Sequence, residues 1–187
     1  MSKPTIVLLC GYARAGKDTF ALGMSKAAEP NLIRTSFAYA LKDAGDLYLA
    51  KLGVCDADNS FFSERFKLAH RAFLVEAGRT ARAVNQDVFA NALVARVAGY
   101  EKTHVAVTDW RYRNEYEVIQ RTLGAAGWTV RTVWLETIGT FAANEEEALT
   151  IADIRRNLPF DYEFYFRANS PEAVKEEGKR FAATLRL

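Results

Sequence analysis

The sequence predicts an α/β fold built on a parallel sheet, and three observations point to it. A short apolar strand, Thr5-Ile-Val-Leu-Leu-Cys10, runs straight into a glycine-bounded loop, Gly11-Tyr-Ala-Arg-Ala-Gly16-Lys17-Asp18-Thr19, that opens a helix. Strand-like and helix-like periodicities then alternate along the chain. Finally, His104-Val-Ala-Val-Thr-Asp109 is a nearly continuous apolar run, the pattern of a parallel strand buried on both faces.

Taken in order, strand one covers about residues 4–10, and the helix after the loop runs from Lys17 to Ala28, stopped by Pro30. Leu32-Ile-Arg-Thr-Ser-Phe37 reads as strand two. Leu41 to Leu52 has helical spacing and ends at Gly53, and Ser63 to Arg82 and Val88 to Val97 are further helical stretches. Strand three is His104–Asp109. Asn114 is placed to cap a helix from Glu115 to Leu123, which Gly124 and Gly127 terminate. Trp128–Leu135 is strand four, Asp161–Phe166 strand five, and Ser170-Pro171 opens a C-terminal helix with proline in its first turn. Residues 38–100 and 137–158 exceed a minimal strand–helix alternation. In an open α/β sheet the ligand crevice lies beyond the carboxyl ends of the strands, so both inserts are expected to overhang the loop.

At 187 residues the chain fits one domain, 1–187, with 50% hydrophobic and 26% charged residues, ordinary for a soluble globular enzyme. A net charge of +2 is too small for a duplex-binding surface but suits a pocket that receives anions, so no direct nucleic-acid binding is expected. The two cysteines, Cys10 and Cys55, read as reduced thiols. With only His70 and His104 as histidines, a His/Cys zinc site is not expected. Met1-Ser-Lys-Pro4 lacks a secretory leader and no apolar stretch is long enough to span a bilayer, so the expected location is cytoplasmic.

The loop carries the strongest chemical signal. Successive backbone amides after a buried strand curl around phosphates, the helix N-terminus adds positive potential, and Lys17 neutralises charge on the β and γ groups. The cradle comprises Gly11, Arg14, Ala15, Gly16, Lys17, Asp18 and Thr19. Asp18 stands where the general pattern has Ser or Thr. Its carboxylate suits Mg²⁺, directly or through water, with Thr19 bonding a phosphate or sharing the metal. Asp109, ending a buried strand beside the loop, reads either as a metal-associated or substrate-orienting carboxylate or as a turn-capping residue. Arg111 and Arg113 alternate with Trp110 and Tyr112, so two cations are expected on one side and two rings on the other. In Gly78-Arg79-Thr-Ala-Arg82, a guanidinium can clamp a phosphate bidentately, and Arg79 is favoured because Gly78 permits close approach; a solvated helix face is the plainer fate. Glu145-Glu-Glu147 reads as a solvated helix start, and Arg155-Arg156 as either a surface pair or lid cations over a transferred phosphoryl group. Phe61, Phe62 and Phe66 read as core.

Together these residues resemble a known family. The stretch Gly11-x-x-Arg14-x-Gly16-Lys17-Asp18-Thr19 is similar to the P-loop of phage-type deoxynucleoside monophosphate kinases, including the Lys-Asp-Thr ending. The resemblance continues through Ser36-Phe37-Ala38 and Ala40-Leu41-Lys42, through Gly78-Arg79 with Asp87–Leu93, through Thr108-Asp109-x-Arg111-Tyr-x-Asn114-Glu115, and to Asp161-Tyr162 and Asn169. It implies a three-layer P-loop kinase fold with a central five-stranded parallel sheet, ATP as donor, Mg²⁺, and a deoxynucleoside monophosphate acceptor. It also implies that Lys42, Arg79, Asp109, Arg111 and Glu115 bind the acceptor, in a host cytoplasm if the chain is phage-encoded. One departure is that Trp134-Leu135-Glu136 carries no basic residue after strand four, which leaves the lid role to Arg155 or Arg156. Two other readings stay open: a P-loop kinase acting on a metabolite hydroxyl, with Asp109 as proton acceptor, and a nucleotide-binding switch without transfer. The residues leave a homodimer open.

Overall fold

A computed structural model describes residues 3–100 and 103–187; residues 1–2, part of the stretch inspected for a leader, and 101–102 lie outside it. The elements are β1 (Thr5–Cys10), α1 (Lys17–Ala27), β2 (Leu32–Thr35), α2 (Tyr39–Lys51), α3 (Glu64–Ala69), α4 (Arg71–Val84), α5 (Val88–Val97), β3 (His104–Val107), α6 (Arg113–Ile119) running into a wider π turn over Gln120–Gly124, β4 (Thr129–Thr137), α7 (Glu145–Asn157), β5 (Tyr162–Phe166) and α8 (Pro171–Leu185). All five strands are parallel, in the order β2-β3-β1-β4-β5. The central position of β1 explains its sequence, because every residue from Thr5 to Cys10 is buried.

Side-chain alternation on β1 feeds two separate cores. Ile6, Leu8 and Cys10 pack with Phe89 and Leu93 of α5, Val118 and Ile119 of α6, and Ile151 and Ile154 of α7. Val7 and Leu9 pack on the other face with Phe20 and Met24 of α1 and Val174 and Phe181 of α8. This gives the three layers expected, and each large side chain buried here contributes roughly 1.5–3 kcal/mol. Among the described residues no helix is long and apolar enough to cross a membrane.

Several boundaries moved because backbone groups found other partners. Strand two ends at Thr35, because the amides of Phe37 and Ala38 turn out of the sheet to donate to the Asp109 carboxylate at 2.7 and 3.0 Å. The helical stretch Ser63–Arg82 breaks at His70, whose backbone (φ −114°, ψ 24°) closes α3 and starts α4. Asn114 does not cap the following helix. Tyr112 precedes its first turn, and the Glu115 carboxylate reaches back to accept from the amides of Arg111 and Tyr112, both at 3.1 Å. Asn114 instead donates its side-chain amide to Gln86 and Asp87. Asn144 caps α7 by accepting from the Glu147 amide, but Glu147 is only 2% exposed, so this helix start is not fully solvated.

The α1–α8 layer depends on a backbone-to-backbone crossing. A Cβ at Gly23 would lie 2.0 Å from the Lys175 carbonyl oxygen, and one at Gly178 would lie 2.2 Å from that of Phe20. Neither neighbour is a flexible side-chain tip, so the helices themselves would have to separate. Gly178→Ala should therefore lower stability by about 1–3 kcal/mol in chemical denaturation. Gly99→Ala, whose nearest neighbour is 3.6 Å away, should cost much less.

Candidate functional site

The loop after β1 turns directly against the end of β4. Cys10 pairs with Trp134, and a Cβ on Gly11 would sit 2.1 Å from the Leu135 carbonyl oxygen, so only glycine lets the chain leave the sheet here. Arg14 (φ 65°) and Gly16 (φ 89°) take left-handed conformations that curl the backbone before α1 begins. Lys17 opens that helix at 8% exposure, and its Nζ donates to the carbonyls of Gly11 (2.7 Å) and Tyr12 (2.8 Å). Burial, and next the Arg111 charge, lowers the lysine pKa. An open cavity of about 230 Å³ lies over the loop, lined by Arg14, Gly16, Lys17, Asp18 and Thr19. Beneath it, burial pushes the Cys10 thiol up to about 12, which makes it an inert core group. Asp18 is exposed and Thr19 half-buried on the cavity wall. One carboxylate and one hydroxyl there fit Mg²⁺, which keeps most of its waters and takes its other ligands from phosphate.

Arginines from two elements extend this positive surface. Arg111, just after β3, lies 3.3 Å from Glu147 at the start of α7, and both charges act on Lys17. The pair is not aligned as a hydrogen bond: Arg111 Nε and Glu147 Oε1 are both buried without one. The other Glu147 oxygen accepts from the Ala143 amide at 2.6 Å. Arg79 on α4 donates to Glu146 at 3.1 Å, and the Tyr112 hydroxyl donates to the other Glu146 oxygen at 2.6 Å. Arg82, one turn on from Arg79, stacks its guanidinium on the rings of Phe89 (4.6 Å) and Tyr112 (4.2 Å) and lies 3.6 Å from Glu115.

Asp109 lies beside this wall with both oxygens engaged by the amides of Phe37 and Ala38. Burial raises its pKa, while those amides and the charges of Arg111 and Lys42 oppose the shift. Lys42, on the first turn of α2, therefore belongs to this neighbourhood, with its ammonium 5.8 Å from the Phe62 ring. Glu115 is 2% exposed, and burial, reinforced by Asp109, pushes its carboxyl up to about 8.

The alternation of cations and rings after β3 does not split by side. Arg111 points to Glu147, whereas Arg113 pairs outward with Glu117 on its own helix. Trp110 is fully buried in the core, and Tyr112 faces Glu146. Arg155 stacks over Trp134 (4.5 Å) and pairs with Glu163 (3.3 Å), and Arg156 is exposed on the next position of α7. Phe61 is core, packed on Phe66 and Phe73, but Phe62 is half-exposed against Tyr39. Sequence reasoning named Arg82 and Tyr112 only as neighbours of favoured residues and read Glu146 and Glu147 as solvated, so it missed the contacts that join these four. The arginine spacing was visible, but nothing in an acidic triplet at a helix start distinguishes a buried partner from a solvated one.

No protein-family model matches the chain, and no curated protein sequence matches it. Solved structures share its architecture. A sugar kinase from Janibacter sp. HTCC2649 is 12% identical with a TM-score of 0.50, covering 96% of this chain and 95% of that one. A protein from Chloroflexus aurantiacus J-10-fl, provisionally assigned as a kinase, is 13% identical with a TM-score of 0.52, covering 100% and 98%. At such identities the likeness is one of fold, and the fold is the α/β sandwich of P-loop kinases.

The buried Glu115 carboxyl makes stability depend on pH. Its ordinary value is 4.5 and its folded value about 8. Between them the folded chain retains a proton that the unfolded chain releases, so this contribution is full below about 4.5 and is lost as pH rises through about 8. Lys17, lowered in the fold, acts in the opposite direction. The test is therefore a difference: between about pH 5.5 and 8 the urea midpoint should fall less in Glu115→Gln than in the parent chain.

Proposed function

We propose that this chain transfers the γ-phosphoryl group of ATP to the 5′-phosphate of a deoxynucleoside monophosphate. The observation that carries the reading is the arginine wall. Arg111 lies close enough to act on Lys17, and Arg79 and Arg82 reach the same start of α7 through Glu146 and Tyr112, while the carboxylate at the strand end, Asp109, accepts a backbone amide on each oxygen. Such a site suits an acceptor that brings its own negative charge and needs no proton removed. A phosphate monoester has its second pKa near ~6, so its attacking oxygen is largely ionised at neutral pH.

The reaction then reduces to alignment and charge neutralisation. Lys17 and the loop amides from Gly11 to Thr19 hold the donor phosphates. Arg111 and Arg79 hold the acceptor phosphate, with Arg82 behind them against Tyr112. An acceptor oxygen forms a bond to the γ phosphorus as the bond from that phosphorus to the β–γ bridging oxygen breaks, leaving ADP and a deoxynucleoside diphosphate. Asp18 and Thr19 would hold Mg²⁺, which when bound supplies neutralising charge at the β and γ groups. Asp109 acts through the chain, holding residues 37–38 and with them the start of α2; Lys42 then projects from the first turn of that helix. The helices over 38–100 form the acceptor wall and the 137–158 segment the cover, and Arg155 and Arg156 approach from that cover.

A second reading is a kinase acting on a metabolite hydroxyl. It is favoured by the sugar kinase that shares the fold, and it needs Asp109 or Glu147 as proton acceptor.

ADP release should be measured with ATP, Mg²⁺ and each deoxynucleoside and ribonucleoside monophosphate, alongside a panel of sugars and sugar acids. Stimulation by deoxynucleoside monophosphates alone is expected; stimulation by the polyols alone would select the second reading, and ATP binding without any stimulation would select a switch. Lys17→Ala should lower turnover about a hundredfold or more with the circular dichroism spectrum intact. A folded variant with full activity would sink the assignment of the loop.

A further inference from the structure

Two of the arginines assigned to the acceptor phosphate are neutralised by one short acidic segment. Glu146 takes Arg79 and Tyr112, and Glu147 takes Arg111. The geometry points to a displaceable internal anion: Glu146 and Glu147 stand in the acceptor-phosphate position and yield Arg79 and Arg111 to the phosphate when an acceptor enters. This rests on the reading above that those arginines receive a phosphate, and it makes the two glutamates determinants of acceptor affinity.

Three features distinguish such a plug from a structural ion pair. The Arg79–Glu146 pair is largely open to water, with side chains 58% and 40% exposed, and exposed pairs of this kind stabilise a fold little. The Arg111–Glu147 pair is close but unmatched. A pair selected for stability would be bidentate, yet here Nε of Arg111 and Oε1 of Glu147 are buried without a hydrogen bond. A phosphate, with three acceptor oxygens, can engage both Nε and an Nη of that arginine. Finally, the segment leading to the glutamates is lightly held. Between Thr137 and the cap at Asn144, Ile138 is 65% and Phe141 79% exposed, whereas α7 is anchored further along by fully buried Ile151 and Ile154. The stretch before α7 can therefore move while the second half of that helix stays in the core, and release of Glu147 from Arg111 also breaks the bonds it makes with Ala143 and Asn144.

A plug and a clamp predict opposite signs. If the glutamates compete with the acceptor, Glu146→Gln should tighten binding of inorganic phosphate and of deoxynucleoside monophosphates about three- to tenfold by calorimetry on the full chain. If they merely orient the arginines, the same variant should weaken it. Inorganic phosphate also has access to the loop around Lys17, so the measurement is repeated in the Arg79→Ala background. There the gain from Glu146→Gln should vanish. Amide exchange over 141–150 should accelerate when phosphate binds the parent chain. Unchanged or weaker phosphate binding in Glu146→Gln, or a gain that persists without Arg79, would overturn the plug. A gain that depends on Arg79 in a chain that never phosphorylates a nucleotide would leave the plug standing and remove only the proposed substrate.

Discussion

The arrangement of this protein follows from one buried cation. Lys17 sits at the carboxyl end of a fully buried strand, and its ammonium turns back onto two carbonyls of its own loop. Those carbonyls hold the lysine but do not neutralise it, and Arg111 adds a second positive charge nearby. Isolated charge at such a site is costly, so the surrounding elements must either present anions or leave an opening for them. The structure does both. The cavity over the loop stays open to solvent, while the carboxylates of Glu146 and Glu147 on α7 close on the arginines.

The two faces of the sheet divide rigidity from adjustment. On one face α1 and α8 cross so closely that two glycine Cα atoms meet facing carbonyls, and four aromatic rings from α1, β5 and α8 interlock behind them. That side fixes the helix that Lys17 begins. The other face carries the elements bearing the arginines and glutamates, and they are joined there through polar contacts: Arg79 to Glu146, Arg111 to Glu147, Arg82 to Glu115. Of these, the Arg79–Glu146 pair is open to water on both sides, and such a pair is individually weak and exchangeable. A site that must admit one charged ligand and exclude water on closing is better built from such contacts than from a sealed apolar interface.

How much of this was legible in the sequence depended on the range of the interaction. The buried strands, the glycine turn and the helix after it are local patterns, and the five strands and three layers appear where the pattern placed them. Boundaries failed where a distant residue intervened or where a neighbour competed for the same amides. Ser36 and Phe37 read as strand, but Asp109, far along the chain, draws the Phe37 amide out of the sheet. Asn114 had the right chemistry and position for a cap, but Glu115 could reach two amides at once and left Asn114 to bind the turn before α5. Arg79 and Arg111 could be singled out as phosphate-binding types. Their pairing with Glu146 and Glu147 could not, because it depends on how α7 docks across the sheet.

Asp109 shows how such long-range contacts bear on chemistry. A carboxylate at the end of a parallel strand beside a phosphate-binding loop can serve as a base only if an oxygen faces the acceptor with a free lone pair. Here burial already raises its pKa, and each oxygen accepts a backbone amide. Each oxygen keeps a second lone pair, but turning the carboxylate to aim it at a substrate hydroxyl would lengthen the amide bonds that hold the turn before α2. That helix carries Lys42, whose charge partly offsets the burial of Asp109. The aspartate is thus tied to the geometry of the proposed acceptor wall, and using it as a base would disturb that wall. A phosphate acceptor imposes no such conflict, since it arrives ionised and asks the site only for cations.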